Sequence, residues 1–168
     1  MVNNLNILEN INFKLVLGRA PNVEFFSKSV VIPSISIGSS VVPTPFSAVN
    51  LPGDHMTFGP LDVTFRIDEN LANWTEIFNW MNSIAFPEDY DQYGMYNENG
   101  IPISLTCDIE LHIMSSKNNT IRTLTFKNAW PSDLAGLSID IDQEGVVYAE
   151  TTVSFLYDTF TLNTNSSI

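Results

Sequence analysis

The chain has 168 residues, 44% of them hydrophobic and 11% aromatic, which is enough apolar surface for a packed core and too much for a disordered chain. Seven basic against nineteen acidic residues leave a net charge of −12, a field that repels phosphate and argues against sequence-specific DNA binding. Only 15% of residues are charged, and the polar share falls instead on 18 Asn, 16 Ser and 13 Thr, which cost less to desolvate at a contact between copies.

The first ten residues carry no basic side chain, and the apolar stretch after them is interrupted by Lys14 and Arg19. No secretory signal is expected, no membrane-spanning segment is expected, and synthesis in the cytoplasm follows. Ile11, Phe13, Leu15 and Leu17 alternate with Asn12, Lys14 and Val16, the period of two of a half-buried strand, and Gly18 ends it. A second strand is expected over residues 30–37, bent or at an edge because Pro33 lies inside it. Residues 38–60 hold Pro43, Pro45, Pro52, Gly53 and Gly59 and read as one long connection, of a length that more often carries function than filler.

Leu61, Val63, Phe65 and Ile67 alternate with Asp62, Thr64 and Arg66, a third strand. Residues 70–86 change period. Leu71, Trp74, Ile77, Phe78, Met81 and Ala85 share one face at three- and four-residue spacings, which predicts a helix that Pro87 stops. Asn70 and Asn73 are rival caps, the second with Glu76 three residues on, as in a capping box. After a Tyr-, Asn- and Gly-rich loop over 88–102, Ile103, Leu105, Cys107, Ile109, Leu111 and Ile113 alternate with Ser104, Thr106, Asp108, Glu110 and His112, a long strand with one polar face. Lys117, Asn118 and Asn119 suit a hairpin turn into a strand over 120–126, which Trp130-Pro131 is expected to break. A final strand is expected from Gly145 to Leu162, apolar on one face at Val147, Val153, Phe155 and Tyr157 and on the other at Val146, Tyr148, Leu156 and Phe160. An antiparallel sheet normally leaves one face wet. The helix or a neighbouring chain must therefore cover the second.

No catalytic, cofactor-binding or metal-binding set stands out. Asp140, Asp142, Glu144 and Gly145 open like a calcium loop, but position twelve is Thr151, and Glu150 comes one place early. His55 and His112 have no Cys or His at metal-ligand spacing. Cys107 is in register with Ile109 and Leu111 and reads as a small core hydrophobe, while a single cysteine excludes an internal disulfide framework. Glu88, Asp89 and Asp91 could supply paired carboxylates for glycoside hydrolysis, yet adjacent loop acids are usually solvated charge.

Several stretches together resemble the tail tube proteins of contractile-tailed, T4-like bacteriophages. Arg19-Ala20-Pro21-Asn22 before Phe25-Phe26 is similar to the family's lead-in to its first sheet, with Phe25-Phe26 as strand. Pro52-Gly53-Asp54-His55-Met56-Thr57-Phe58 resembles a segment of the family that carries Arg where His55 stands. Asp68-Glu69-Asn70 opens a helix whose Phe78, Trp80 and Ile84-Ala85 fit the family pattern, and Phe126-Lys127-Asn128-Ala129-Trp130-Pro131 is followed by Leu134, Gly136-Leu137 and Asp140 to Asp142. The resemblance covers roughly residues 19–158; the tail from Thr159 and the Asn-rich N-terminus run past it.

The resemblance implies a mainly β fold, an antiparallel β-sandwich or partial barrel with one flanking α-helix, and a single tail-tube domain over residues 1–168 with short Asn- and Ser-rich terminal extensions. It implies a structural, non-enzymatic virion subunit that forms hexameric rings stacked into a hollow conduit inside a contractile sheath. A baseplate tube initiator of the same fold, or the tube protein of a type VI secretion-like injection system, is the alternative. The implied partners are copies of itself, the tail sheath protein, the baseplate tube initiator, the tail terminator, and phage DNA passing non-specifically through the lumen, with no membrane. Residues 38–60 are then expected to reach the adjacent ring. Asp108 and Glu110 are candidates to line the channel and repel phosphate, an exposed outer face being the other reading of that pair.

Overall fold

The computed structural model describes residues 12–43, 45–85, 104–139 and 148–164. Nine strands and two helices follow one another as β1 (Phe13–Leu17), α1 (Pro21–Phe26), β2 (Ser27–Val31), β3 (Ile35–Pro43), β4 (Ala48–Phe58), β5 (Leu61–Arg66), α2 (Ala72–Ala85), β6 (Cys107–Met114), β7 (Thr120–Leu134), β8 (Glu150–Leu156) and β9 (Thr159–Thr164). Seven strands make one antiparallel sheet in the order β1-β6-β7-β8-β5-β2, with β9 on β7, while β3 and β4 form a separate hairpin. The mainly β, antiparallel architecture expected from the sequence is present.

Strand β7 decides the shape. Its first part pairs with β6 and β9, and its last residues, Trp130 to Leu134, pair with β8. Between them Asn128 takes φ 53°, a left-handed conformation that Asn tolerates better than most residues. The sheet thereby bends into two halves that bury their inner residues in one core. Leu15, Leu17, Ile109, Leu111, Leu124 and Phe126 come from one half, and Leu61, Val63, Phe65, Val153 and Phe155 from the other. Each such side chain contributes about 1.5–3 kcal/mol on burial.

Several sequence expectations need correction. Strand β7 does not break at Trp130-Pro131 but passes through it, Pro131 lying opposite Phe155 at a register shift that spares a ladder donor. The final strand is two. Residues 157 and 158 separate β8 from β9, and Asp158 donates its backbone N–H to the Lys127 carbonyl at 3.1 Å while its carboxylate accepts from Asn128 Nδ2 at 2.7 Å. The bends of the two chains are thus tied together, and residues 159–164, which run past the family resemblance, form an integral strand of the sheet.

Phe25-Phe26 is helical, not extended. Pro21 sits at the first turn of α1, where its fixed φ suits a helix and its missing N–H costs nothing. Glu76 of α2 accepts from the Asn22 backbone N–H at 3.1 Å, so the carboxylate read as part of a capping box on α2 caps α1 instead. Residues 32–34 split the strand expected over 30–37 into β2 and β3. Helix α2 is turned from the expected face: it buries Asn73, Ile77, Trp80 and Ser83 and leaves Phe78 exposed, as is Leu71 just before it. Asn73 causes the turn. Its Nδ2 donates to the Arg66 carbonyl at 2.7 Å and its Oδ1 accepts from Asp68 N at 3.3 Å, stitching the helix start to the end of β5. Trp80 packs on Phe155 at 5.8 Å, so α2 covers the core side of β8 and not its outer face.

Candidate assembly surfaces

The connection 38–60 is no irregular loop: most of it belongs to the β3–β4 hairpin, which projects as an arm. Every residue of β3 is exposed, and in β4 only Gly53 and Phe58 are partly covered. At about 3.3 Å per residue a nine-residue strand reaches ~30 Å. Ile35, Ile37, Val41, Val42, Val49, Leu51 and Met56 are exposed along it, and Phe46 at its tip is 98% exposed. Two-stranded hairpins are marginal alone in water, and contiguous exposed apolar surface marks a contact site.

The arm is anchored rather than loose. Tyr157 Oη donates to the Gly59 carbonyl at 3.0 Å, Gly59 N–H donates to the Ser34 carbonyl at 2.9 Å, and the Phe58 ring lies 5.3 Å from that of Phe160 on β9. Ser36 and Thr57 hydroxyls bond across the two strands at 2.6 Å. A Cβ on Gly53 would stand 2.7 Å from the Gly38 carbonyl oxygen, so the strands approach closely there and the register shifts. His55 and Asp54, bonded at 2.5 Å, are both almost fully exposed.

The second surface is the outer face of β1, β6, the first part of β7, and β9. Directly opposed residues share a face. Lys14 opposes His112, which opposes Thr123, which opposes Asn163; Val16 opposes Glu110, which opposes Thr125, which opposes Thr161. Apart from Val16 this face is polar across four strands, with Thr123 and Thr125 at its centre already buried. Asp108 and Glu110 both lie on it, but neither is a bare charge. Asp108 accepts from Lys127 Nζ at 2.5 Å and from Asn128 N–H at 3.1 Å, and the Lys127 hydrogen bond holds its carboxyl below the usual range. Glu110 lies 3.4 Å from His112 Nε2, whose Nδ1 bonds the Thr123 hydroxyl at 3.0 Å. Two lysines, Lys14 and Lys127, share the face with these two acids. The acidic strip expected from the sequence is therefore close to neutral.

A third surface lies on the other side of β1. Phe13, Leu15, Pro21 and Phe25 line a groove of about 450 Å³ with Lys14, Glu24 and Ser27 at its margin. Phe25 is 81% exposed. Nothing in the sequence pattern separated Phe25 from a core residue, because its role depends on α1 being a helix.

The residues weighed for chemistry fall elsewhere. Cys107 is half-buried, and burial pushes its thiol up to about 11. Thr151 is buried and donates to the Ala135 carbonyl at 2.8 Å, and Glu150 pairs with Lys28 and Arg66, so neither end position of the calcium-like run is free for a cation. Asp140, Asp142 and Glu144 lie outside the described residues, as do Glu88, Asp89 and Asp91. Among the described residues no three His, Cys, Asp or Glu side chains are grouped to hold a metal ion.

The family model described as phage tail tube protein matches residues 5–163. The tail tube terminator protein of Enterobacteria phage T4 is 27% identical over 137 residues, 78% of this chain and 74% of the relative. Among solved structures, the tube-terminating cap of the anti-feeding prophage superposes with TM-score 0.67 at 13% identity, covering 98% of this chain and 95% of the other. A chain of the sheath-tube complex of an extracellular contractile injection system, PVC, superposes with TM-score 0.64 at 16% identity, covering 94% and 92%. At these identities the two structural likenesses speak to fold alone.

Proposed function

Because the chain belongs to the phage tail tube protein family, we propose that it is a ring-forming structural subunit of a contractile tail tube, placed at the tube's end as its terminator. The projecting apolar arm carries the assembly reading. A side chain such as Phe46, uncovered by any described residue on a hairpin with no core of its own, gains burial on contact with another molecule. The sheet supports the same reading: among the described residues β1 bonds only to β6, β9 only to β7 and β2 only to β5, so each offers an edge at which a further strand can pair. A contact between unlike edges is heterologous and closes into a ring when its rotation allows. The number of copies, six to a ring, is what the family resemblance implies and not what the edges fix.

The polar face of β1, β6, β7 and β9 is the one suited to line a conduit. It bears hydroxyls, amides and balanced charge, which neither bind nor strongly repel a passing phosphate chain. The role is structural rather than catalytic. Copies of the chain, the shaft of the tube and the sheath are the partners, and the virion tail is the location.

The terminator position rests on the T4 relative, which shares sequence over most of this chain. A repeated shaft subunit is the second reading, in keeping with a matching family model described as phage tail tube protein. Immunogold labelling of sheath-stripped tails separates them. Label confined to one end of the tube supports the terminator, label along the whole tube makes the chain the shaft subunit, and tails with no label refute both.

A further inference from the structure

The β3–β4 arm meets the body of the subunit at its base, and the contacts there converge on one short segment. The Gly59 carbonyl accepts from Tyr157 Oη at 3.0 Å, and the Phe58 ring lies 6.2 Å from that of Tyr157 and 5.3 Å from that of Phe160. Tyr157 and Phe160 pack in turn on Phe126, at 4.9 Å and 5.4 Å, so the four rings form one cluster between the arm and the core. Asp158 sits between the two residues that hold the arm, where β8 gives way to β9. Its backbone N–H donates to the Lys127 carbonyl, and its carboxylate accepts a charge-assisted bond from Asn128 Nδ2 at 2.7 Å. Asn128 is fixed from the other side as well: its own N–H donates to Asp108 at 3.1 Å, and Lys127 Nζ holds the second oxygen of that carboxylate at 2.5 Å. Residues of β6 and β7 therefore determine where the segment 157–160 lies.

We propose that Asp158 and Asn128 are positioning residues for the arm: their hydrogen bond fixes Tyr157 and Phe160, and through these two the direction in which the β3–β4 hairpin leaves the sheet. Leverage makes one bond count. At about 3.3 Å per residue the nine residues of β3 extend ~30 Å, so a tilt of about 10° at the base carries the tip through roughly 5 Å, about the spacing of neighbouring strands. Asn128 does two separate things here, since its left-handed φ of 53° lets β7 bend and its amide ties that bend to Asp158. The consequence for assembly rests on the reading above, whereas the angle itself belongs to the single subunit.

Distances between spin labels, measured on the full chain by pulsed electron paramagnetic resonance, read the angle. In a Cys107→Ser background, labels at Val49→Cys on the arm and Lys117→Cys on the β6–β7 turn are expected to give one narrow distance distribution. A second pair, Lys117→Cys with Thr75→Cys on α2, is the rigid reference, and all three positions are exposed. Asp158→Ala, and Asn128→Gly, which keeps the left-handed conformation and removes only the amide, are expected to shift or broaden the 49–117 distances by about 5 Å and to leave the 75–117 distances unchanged. Asp158→Asn, which still offers an oxygen to Asn128 Nδ2, should match the parent. A 49–117 distribution that is already broad in the parent, or that does not move in Asp158→Ala, would overturn the assignment while leaving the assembly reading as it stands. Equal changes in Asp158→Ala and Asp158→Asn would overturn it as well, and so would a 75–117 distribution that broadens alongside, because the corner would then support the whole fold rather than aim the arm.

Discussion

Asn73, Asn128 and Asp158 show how few side chains hold the fold's unusual features. Asn73 is buried, and donates to the Arg66 carbonyl at the end of β5. Asn128 supplies the left-handed bend in β7, and Asp158 locks the opposing chain to it. Cys107 gives a pH-dependent signature at this scale. Its folded thiol titrates near 11, above the 9.0 of the free group, because burial disfavours the thiolate and outweighs the attraction of the nearby Arg19. A raised folded value leaves the full stability in place below pH 9, and that stability is lost as pH rises from the unfolded value through the folded one. Urea titrations at pH 8 and 10.5 should therefore show wild type losing stability that Cys107→Ala does not lose. Equal losses in both would show that the thiol is not shielded.

At the scale of elements the arm is separable from the core. None of its residues belongs to the buried core, yet its geometry depends on the close approach of Gly38 and Gly53. Gly53→Val would drive a side chain into the Gly38 carbonyl, which the backbone can relieve only by re-aiming the arm. We expect Tm to stay within about 4 °C of wild type, the shift a ~1 kcal/mol change makes in a domain of this size, while ring formation is lost. Calorimetry and electron microscopy read the two separately. A large fall in Tm would mean that the arm is part of the cooperative unit. The same logic explains why α1 matters: six residues of helix, capped by Glu76 from α2, hold Phe25 out of the core and into the groove.

For the whole molecule, charge opposes assembly and apolar surface drives it. Each copy carries −12, so bringing copies together costs repulsion that falls as salt shortens the screening length. Between about 0.03 M and about 0.3 M NaCl, where that length falls from roughly 18 Å to about 6 Å, sedimentation velocity should show the population moving from single subunits towards rings. Dissociation with added salt would mean that ion pairs, not the arm's apolar side chains, dominate the contact. The two opposing terms suit a subunit that stays dispersed until a tube presents a site.

Periodicity located the strands expected over 11–17, 61–67 and 103–113, the turn at Asn118 and the existence of α2, because alternation and the 3.6-residue repeat are local properties of the chain, though the third of these strands begins at Cys107 and leaves 104–106 outside it. The motifs around Phe126 to Pro131 and Phe78 to Ala85 carried the family. Local pattern could not show that β7 runs through Pro131, that one apolar run is split between two partners at Asp158, or which side of α2 is buried. Those depend on residues distant in sequence: Phe155 opposite Pro131, Lys127 against Asp158, and Arg66 against Asn73. The assembly surfaces were the least legible of all. An exposed Val41 or Phe25 is written with the same letters as a buried one, and only the folded chain decides which apolar side chains are left without cover.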